Sequence, residues 1–192
     1  GGRFLELRKE ACKQVPKLNP DVFALGGIVP YMESYRFAEL ADIILTCKAL
    51  LPSDRPVHAF GAGHPMVFGF LAALGCDLFD SAMYSLAAER GAYLTSSGTY
   101  NLEELREFPC SCPICSKFNP QELKVIDAGE REKYLAAHNL YVTFEELRRV
   151  RQAMRDQALW ELVQERARAH PALLDALQQS LKKHWKYLLS KD

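Results

Sequence analysis

The feature that most constrains the fold is a rhythm across residues 1–85, in which short apolar runs alternate with helical patterns. The runs are Asp21–Leu25, stopped by Gly26-Gly27; Pro56–Phe60, stopped by Gly61-Ala62-Gly63; and Asp77–Asp80. Each is too short for a helix and is bounded by turn residues, so each reads as a buried strand. Between them lie helical patterns. Phe4, Leu5, Leu7, Ala11, Cys12 and Val15 recur at helical spacing until Pro16–Pro20 ends them; Met32–Leu51 stops at Pro52; Pro65–Leu74 is closed by Gly75. Strand–helix alternation means an α/β fold, a parallel sheet covered by helices. Ligands of such folds bind at the C-terminal ends of the strands, here the glycine loops. The pattern admits an open sheet or a barrel, and the lack of a dinucleotide fingerprint favours the barrel.

After residue 85 the rhythm stops. Residues 86–127 read as loops, short strands and a cysteine cluster. Helical patterns follow over Arg131–Leu140, Phe144–Arg155, Leu159–His170 and Pro171–Leu189. The chain therefore divides into residues 1–85, 86–140 and 141–192, the last a helical appendage. Zero formal net charge argues against a globally basic nucleic-acid binder. From Tyr141 onward, however, ten Lys/Arg face seven Asp/Glu, including Arg148, Arg149, Arg151, Arg155, Arg166, Arg168, Lys182, Lys183 and Lys186. With acids interleaved, the plain reading of that tail is a solvated helix face. The apolar run near Phe68–Leu74 falls far short of the ~20 residues a membrane span needs, and no signal peptide is evident. Six cysteines without such a signal point to metal rather than disulfides, a reducing compartment and a cytoplasmic location.

Three of those cysteines form Cys110-Ser111-Cys112-Pro113-Ile114-Cys115, and His138 follows twenty-three residues later. Zn2+ takes four thiolate or imidazole ligands in a tetrahedron. The Cys-x-Cys-x-x-Cys turn, stiffened by Pro113, supplies three, and a histidine on a following helix closes the fourth corner. Three unrelated thiols so close together would invite oxidation. Four protein ligands leave no open position, so the expected ion is structural.

Asp80 is the second candidate. Strand periodicity puts Leu78 and Asp80 on one face and Asp77 and Phe79 on the other; Leu78 is expected inside, with Asp80 at the C-terminal end. A carboxylate there suits chemistry, and a turn or helix-capping aspartate before Ser81 explains it equally well. The Gly26-Gly27-Ile28-Val29 loop can offer bare backbone groups to a planar ligand, although a tight turn needs no ligand. Phe60 can stack on a base or pack in a core. His58 and His64 read as structural, and Cys12, Cys47 and Cys76 as buried apolar thiols.

Taken together, Gly26-Gly27-Ile28-Val29-Pro30, Glu33-Ser34-Tyr35-Arg36-Phe37, Phe60-Gly61-Ala62-Gly63-His64-Pro65, Asp77-Leu78-Phe79-Asp80-Ser81-Ala82 and Phe108-Pro109-Cys110-Ser111-Cys112-Pro113-Ile114-Cys115 resemble the archaeal tRNA-guanine transglycosylases. The resemblance runs from Gly1 to about Leu189. It implies a (β/α)8 barrel with a zinc subdomain. It also implies exchange of guanine 15 in the tRNA D-loop for 7-cyano-7-deazaguanine, the first step toward archaeosine. The implied nucleophile is Asp80, the base-contacting loop Gly27, Ile28 and Val29, the stacking aromatic Phe60, and the zinc ligands Cys110, Cys112, Cys115 and His138. The chemistry agrees: glycosidic exchange without net hydrolysis calls for a covalent aspartyl-ribose intermediate on a base taken out of its stack.

The same resemblance implies that an N-terminal half, with the first barrel strands and an acid/base aspartate, and a distal RNA-binding domain lie outside this chain. The expectation is the second half of a barrel that joins a complementary half, with tRNA and guanine or 7-cyano-7-deazaguanine as partners and a homodimer through the zinc region. The alternative is a non-catalytic, zinc-containing tRNA-binding subunit or an inactive fragment. Asp80 favours the first, because a purely structural partner has no use for that carboxylate; the missing half favours the second for this chain in isolation.

Overall fold

The structure, a computed structural model, describes residues 1–189; the last three positions of the expected appendage lie outside them. The order is α1 (Leu5–Gln14), β1 (Phe23–Leu25), α2 (Val29–Glu33), α3 (Phe37–Lys48), β2 (Val57–Ala59), α4 (Phe68–Ala73), β3 (Leu78–Phe79), α5 (Met83–Glu89), β4 (Ala92–Thr95), β5 (Gly98–Asn101), α6 (Pro113–Lys117), α7 (Pro120–Val125), α8 (Ala128–Arg155), α9 (Leu159–Arg168) and α10 (Pro171–Leu189). The fold is mixed α/β and mostly helical. No helix among the described residues is long and apolar enough to cross a membrane.

The three expected strands pair in parallel in the order β1-β2-β3. Register sets Ala24 beside His58 and His58 beside Leu78, with Leu25, Ala59 and Phe79 in the next row. Partners in register share a face, so the sheet has two distinct sides. Phe23, Leu25, Val57 and Ala59 are buried beneath the helices. The other side carries Ala24, His58 and Leu78 and continues past the strand ends to Phe60 and Asp80.

That second side corrects one expectation. Leu78 does not pack inside; it is 44% exposed. Among the described residues β3 is an edge strand, and on this face of the sheet Ala24 is exposed as well as Leu78. Leu78 and Phe79 instead line an open groove with Phe144, Leu147, Met154 and Trp160.

Two expected helices also differ. The Met32–Leu51 pattern is two helices, because Tyr35 takes a left-handed conformation (φ 56°) that a continuous helix excludes. Its second part, α3, buries Phe37, Leu40, Ala41, Ile43, Ile44, Leu45 and Cys47, as befits a helix packed against α1, α2 and α10. Full burial of a Leu or Ile there contributes roughly 1.5–3 kcal/mol each. In the second case, Arg131–Leu140 and Phe144–Arg155 belong to one unbroken 28-residue helix, α8. Its buried residues Leu135, His138, Asn139, Val142, Glu146 and Val150 follow helical spacing along one face. Asp127 starts it by accepting the Gly129 N–H at 3.0 Å.

Two apolar cores result. The larger joins the sheet, α3 and α4 to α9 and α10; the smaller gathers Ala88, Tyr93, Leu102, Leu123 and Leu135 around the cysteine turn. Helix α8 touches both regions, packing on α5 and β4 at one end and on α4 and α9 toward the other. Cys12, Cys47 and Cys76 are buried as expected, and burial, with Cys12 alongside, pushes the Cys47 thiol up to about 12.

Candidate active site and metal centre

The ligand atoms of Cys110, Cys112, Cys115 and His138 all lie within 4.8 Å of one another. The turn that gathers them is local. The Cys112 N–H donates to Cys110 Sγ at 3.4 Å, Cys112 precedes Pro113 at the start of α6, and Cys115 sits one turn in. Thiolates on a tetrahedral Zn2+ sit at about 2.3 Å from the ion, which spaces their sulfurs ~3.8 Å apart. The cluster matches that scale.

The tautomer of His138 supplies a sharper test of fit. Its Nε2 lies 3.0 Å from the Leu94 carbonyl, an acceptor only, so Nε2 carries the proton. Nδ1 is then the ring atom left to bind a metal, and it faces Cys112 and Cys115 Sγ, each at 3.4 Å. A carbonyl behind a histidine ligand is the usual second support of a metal-binding imidazole. Tyr93 stacks on the His138 ring at 3.7 Å and on Phe108 at 5.2 Å. Burial, and then Cys115, push the Tyr93 phenol up, so it stays protonated and its O–H donates to Cys115 Sγ at 3.3 Å. The residues therefore form a Cys3His group that could hold a metal ion. The sequence does not single out Tyr93; its only signal is a buried position on β4 opposite the cysteine turn.

At the other centre, the loops after β1, β2 and β3 meet. Asp80 follows directly on β3, with its side chain 49% exposed. Its Oδ1 accepts two hydrogen bonds at 2.8 Å, one from the Gly61 N–H and one from His58 Nε2. Among the described residues no hydrogen bond reaches Oδ2. The carboxylate is thus gripped by one oxygen, and the other is free of hydrogen bonds among the described residues.

Two glycines make this possible. Gly61 has φ 86°, and a Cβ there would come within 2.5 Å of Val29 Cγ2, so the second loop lies flat on the first. A Cβ on Gly63 would sit 1.9 Å from Ser81 Cβ, so the same loop is pressed against the residue after Asp80. Val29, Gly61 and Asp80 are therefore locked in one patch. Phe60 stands on it, 54% exposed, its ring edge-on to His58 at 5.3 Å. Gly27 is exposed, whereas Ile28 is fully buried, backbone included, and its carbonyl accepts the N–H groups of Tyr31 and Met32 at 3.1 and 3.4 Å; of the two, Gly27 is the one open to a ligand. Arg8, unnoticed in the sequence, is buried and holds the loop from behind, its guanidinium donating to the carbonyls of Gly26 at 3.3 Å and Gly2 at 2.7 Å.

The structure brings His58 to this patch as well. It is a mid-strand histidine, as expected, but it contacts both Asp80 and Phe60. The signal was there: positions 58 and 60 share parity, and parallel register carries that face to Asp80. His64 is structural, as expected. Its Nδ1 accepts the Met66 N–H at 3.1 Å, so Nε2–H donates to Thr99 Oγ1 at 2.9 Å.

A model of the queuine tRNA-ribosyltransferase family matches residues 1–172. The chain belongs to this family. The queuine tRNA-ribosyltransferase match takes in the Asp80 patch and the Cys3His group, and it ends in the first turn of α10. The chain is similar to the tRNA-guanine(15) transglycosylase of Methanocaldococcus jannaschii, with 53% identity over 92% of this chain and 27% of the relative. It is similar to proteins of the same name from Pyrococcus furiosus (52% identity, 98% of this chain, 32% of the relative) and Methanococcus aeolicus (50%, 94% and 28%). The chain thus spans roughly a third or less of the curated relatives it matches.

Proposed function

We propose that this chain is the nucleophile-bearing part of a tRNA-guanine transglycosylase that replaces guanine 15 of the tRNA D-loop with 7-cyano-7-deazaguanine, on the route to archaeosine. The observation that carries the reading is the half-exposed Asp80 carboxylate, fixed through Oδ1 by Gly61 and His58, with no hydrogen bond to Oδ2 among the described residues. In this reading Oδ2 gives an electron pair to the ribose anomeric carbon as the C1′–N9 bond breaks. The bonding pair leaves with guanine, which takes a proton from a general acid contributed by a complementary N-terminal half. The incoming base loses its N9 proton to the same group and attacks C1′, and the pair in the Oδ2–C1′ bond returns to Asp80. Phe60 stacks on the base, and the backbone of Gly27, Ile28 and Val29 reads its edge.

Residues 1–85 are proposed as the second half of a (β/α)8 barrel, residues 86–140 as a zinc subdomain and residues 141–192 as the start of a C-terminal region. The consecutive order β1-β2-β3, the edge strand β3 and the apolar groove at Leu78, Phe144 and Trp160 support closure by further strands. The proposed ion is one structural Zn2+ on Cys110, Cys112, Cys115 and His138, and its chemistry is coordination alone. Action in the cytoplasm and pairing of two copies through the zinc region complete the proposal.

The test combines this chain with a complementary N-terminal half, tRNA and labelled guanine. Wild type should form a tRNA adduct stable on a denaturing gel, and Asp80→Asn should form none while binding tRNA nearly as well. Phosphate contacts dominate that affinity, and Asp80 makes none of them. A normal adduct from Asp80→Asn would move the nucleophile elsewhere.

A further inference from the structure

The proposed function uses one oxygen of Asp80 and leaves the purpose of the other unexplained. Orientation alone needs a single donor, and the Gly61 N–H already provides it from a rigid turn. A second donor on the same atom, His58 Nε2 at 2.8 Å, is redundant for holding the carboxylate. It is not redundant for chemistry.

We propose that His58 is a positioning residue that sets how readily Asp80 leaves the ribose in the second half of the exchange. The proposal rests on Asp80 as nucleophile. In the free enzyme Asp80 is an anion, and Oδ1 bears half of its charge. In the adduct the Oδ2–C1′ bond has formed, and Oδ1 is a neutral ester carbonyl. Oxocarbenium-like transition states keep the bonds to nucleophile and leaving group long. The carboxylate therefore carries most of its charge in both transition states and loses it only in the adduct. A donor on Oδ1 is strongest where that charge is present. It stabilises the free enzyme and both transition states about equally, and the adduct less. Attack on C1′ is then nearly indifferent to His58, whereas departure of the carboxylate depends on it.

The geometry suits this role. His58 occupies the middle of β2, with Ala24 on one side and Leu78 on the other, so the strand fixes the ring. Asp80 is opposite in the same face, one residue past the sheet. Phe60 rests edge-on against the same imidazole, so the group that governs release also touches the proposed base platform.

The experiment measures adduct formation and adduct breakdown separately, in enzyme assembled with a complementary N-terminal half. Formation is followed with tRNA and no incoming base; breakdown is followed after guanine is added. His58→Phe should form adduct at close to the normal rate and release it roughly tenfold more slowly, the weight of one charge-assisted hydrogen bond. Adduct should accumulate during turnover. His58→Gln, which keeps an N–H donor of similar reach, should restore most of the breakdown rate; His58→Met, without a donor, should not. Zinc content and circular dichroism confirm folding, and if His58→Phe does not fold, the Gln and Met pair carries the same comparison. Unchanged breakdown in the donorless variants, or formation and breakdown slowed together, overturns the proposal. Asp80→Asn in parallel separates the two ideas: an adduct there defeats the nucleophile assignment, whereas loss of adduct there with normal breakdown in His58→Met defeats only the role of His58.

Discussion

Asn139 Oδ1 accepts the buried Leu94 N–H at 2.9 Å, and the Asn139 amide donates to the carbonyls of Tyr84 and Ala92 at 3.1 and 3.0 Å. One fully buried side chain thus satisfies three backbone groups on β4 and at the turn of α5, where the sheet ladder does not reach. Because a buried backbone group without a partner costs about 1–3 kcal/mol, Asn139→Ala should lower stability by roughly 3 kcal/mol or more. Urea denaturation should show a lower midpoint with an unchanged slope. Asn139→Asp keeps the acceptor and loses the donor, and it should be no better.

Metal analysis of the purified chain should give close to one zinc per chain, and Cys112→Ala should abolish it. Loss of a structural site of this kind removes several kcal/mol of folding free energy. His138→Gln should lose zinc as well, since an amide cannot replace the Nδ1 lone pair. Iron, or no metal, in the wild-type protein would contradict the assignment.

Acid should destabilise the protein in part through His64. Burial, and then His170, hold its imidazole down at about 4 in the folded state, against roughly 6.5 when unfolded. A lowered folded value means that the unfolded chain binds the proton first. This contribution is therefore complete above about pH 6.5, falls away as pH drops toward 4 and is flat below. Its full size is on the order of 3 kcal/mol, from the gap between about 4 and roughly 6.5 taken at roughly 1.4 kcal/mol per pH unit. His64→Gln should flatten that part of the stability profile, measured as urea midpoint against pH with zinc content checked at each point. An unaltered profile would show that His64 does not titrate with unfolding.

Glu146 on α8 and Arg166 on α9 form a buried two-point pair at 2.7 and 3.0 Å. Arg166 also bonds the more exposed Glu165. Glu146→Ala leaves a buried cation half-compensated and should cost about 3–5 kcal/mol. Replacing both residues, as in Glu146→Leu with Arg166→Met, should recover much of that loss. A double variant as unstable as the single one would mean the pair itself contributes net stability.

The parallel sheet was legible because β1 and β2 are bounded by proline and glycine and β3 follows Gly75, and the Cys3His group because the spacing of its cysteines is local. What escaped the sequence depended on register or on distance. Tyr35 breaks α3 from α2 through a φ angle that tyrosine does not advertise. Leu78 looked like core because its residue type is apolar, yet the face it occupies is open. Helix α8 was split at Tyr141–Thr143 because β-branched and aromatic residues weaken helix propensity, and tertiary packing against α5 and β4 overrides that preference. Asn139, Tyr93 and Arg8 serve partners 45, 22 and 18 residues away, a separation no periodicity encodes.

The unbroken α8 has a mechanical consequence. A rod of 28 residues spans about 42 Å, and a rod pinned at one point can still roll about its axis. His138 and Glu146 pin it at two points on one side, about 12 Å apart along the axis, so its roll is fixed as well as its place. Helix α5 begins three residues after Asp80 and lies along that rod. With the proposed zinc bound, stripping it would free one pin and let the roll drift, and the slack would pass through α5 to the stretch from Asp80 to Met83. Amide exchange there should quicken on chelation before the sheet itself opens, so the proposed ion would steady the carboxylate from a distance through helix α8.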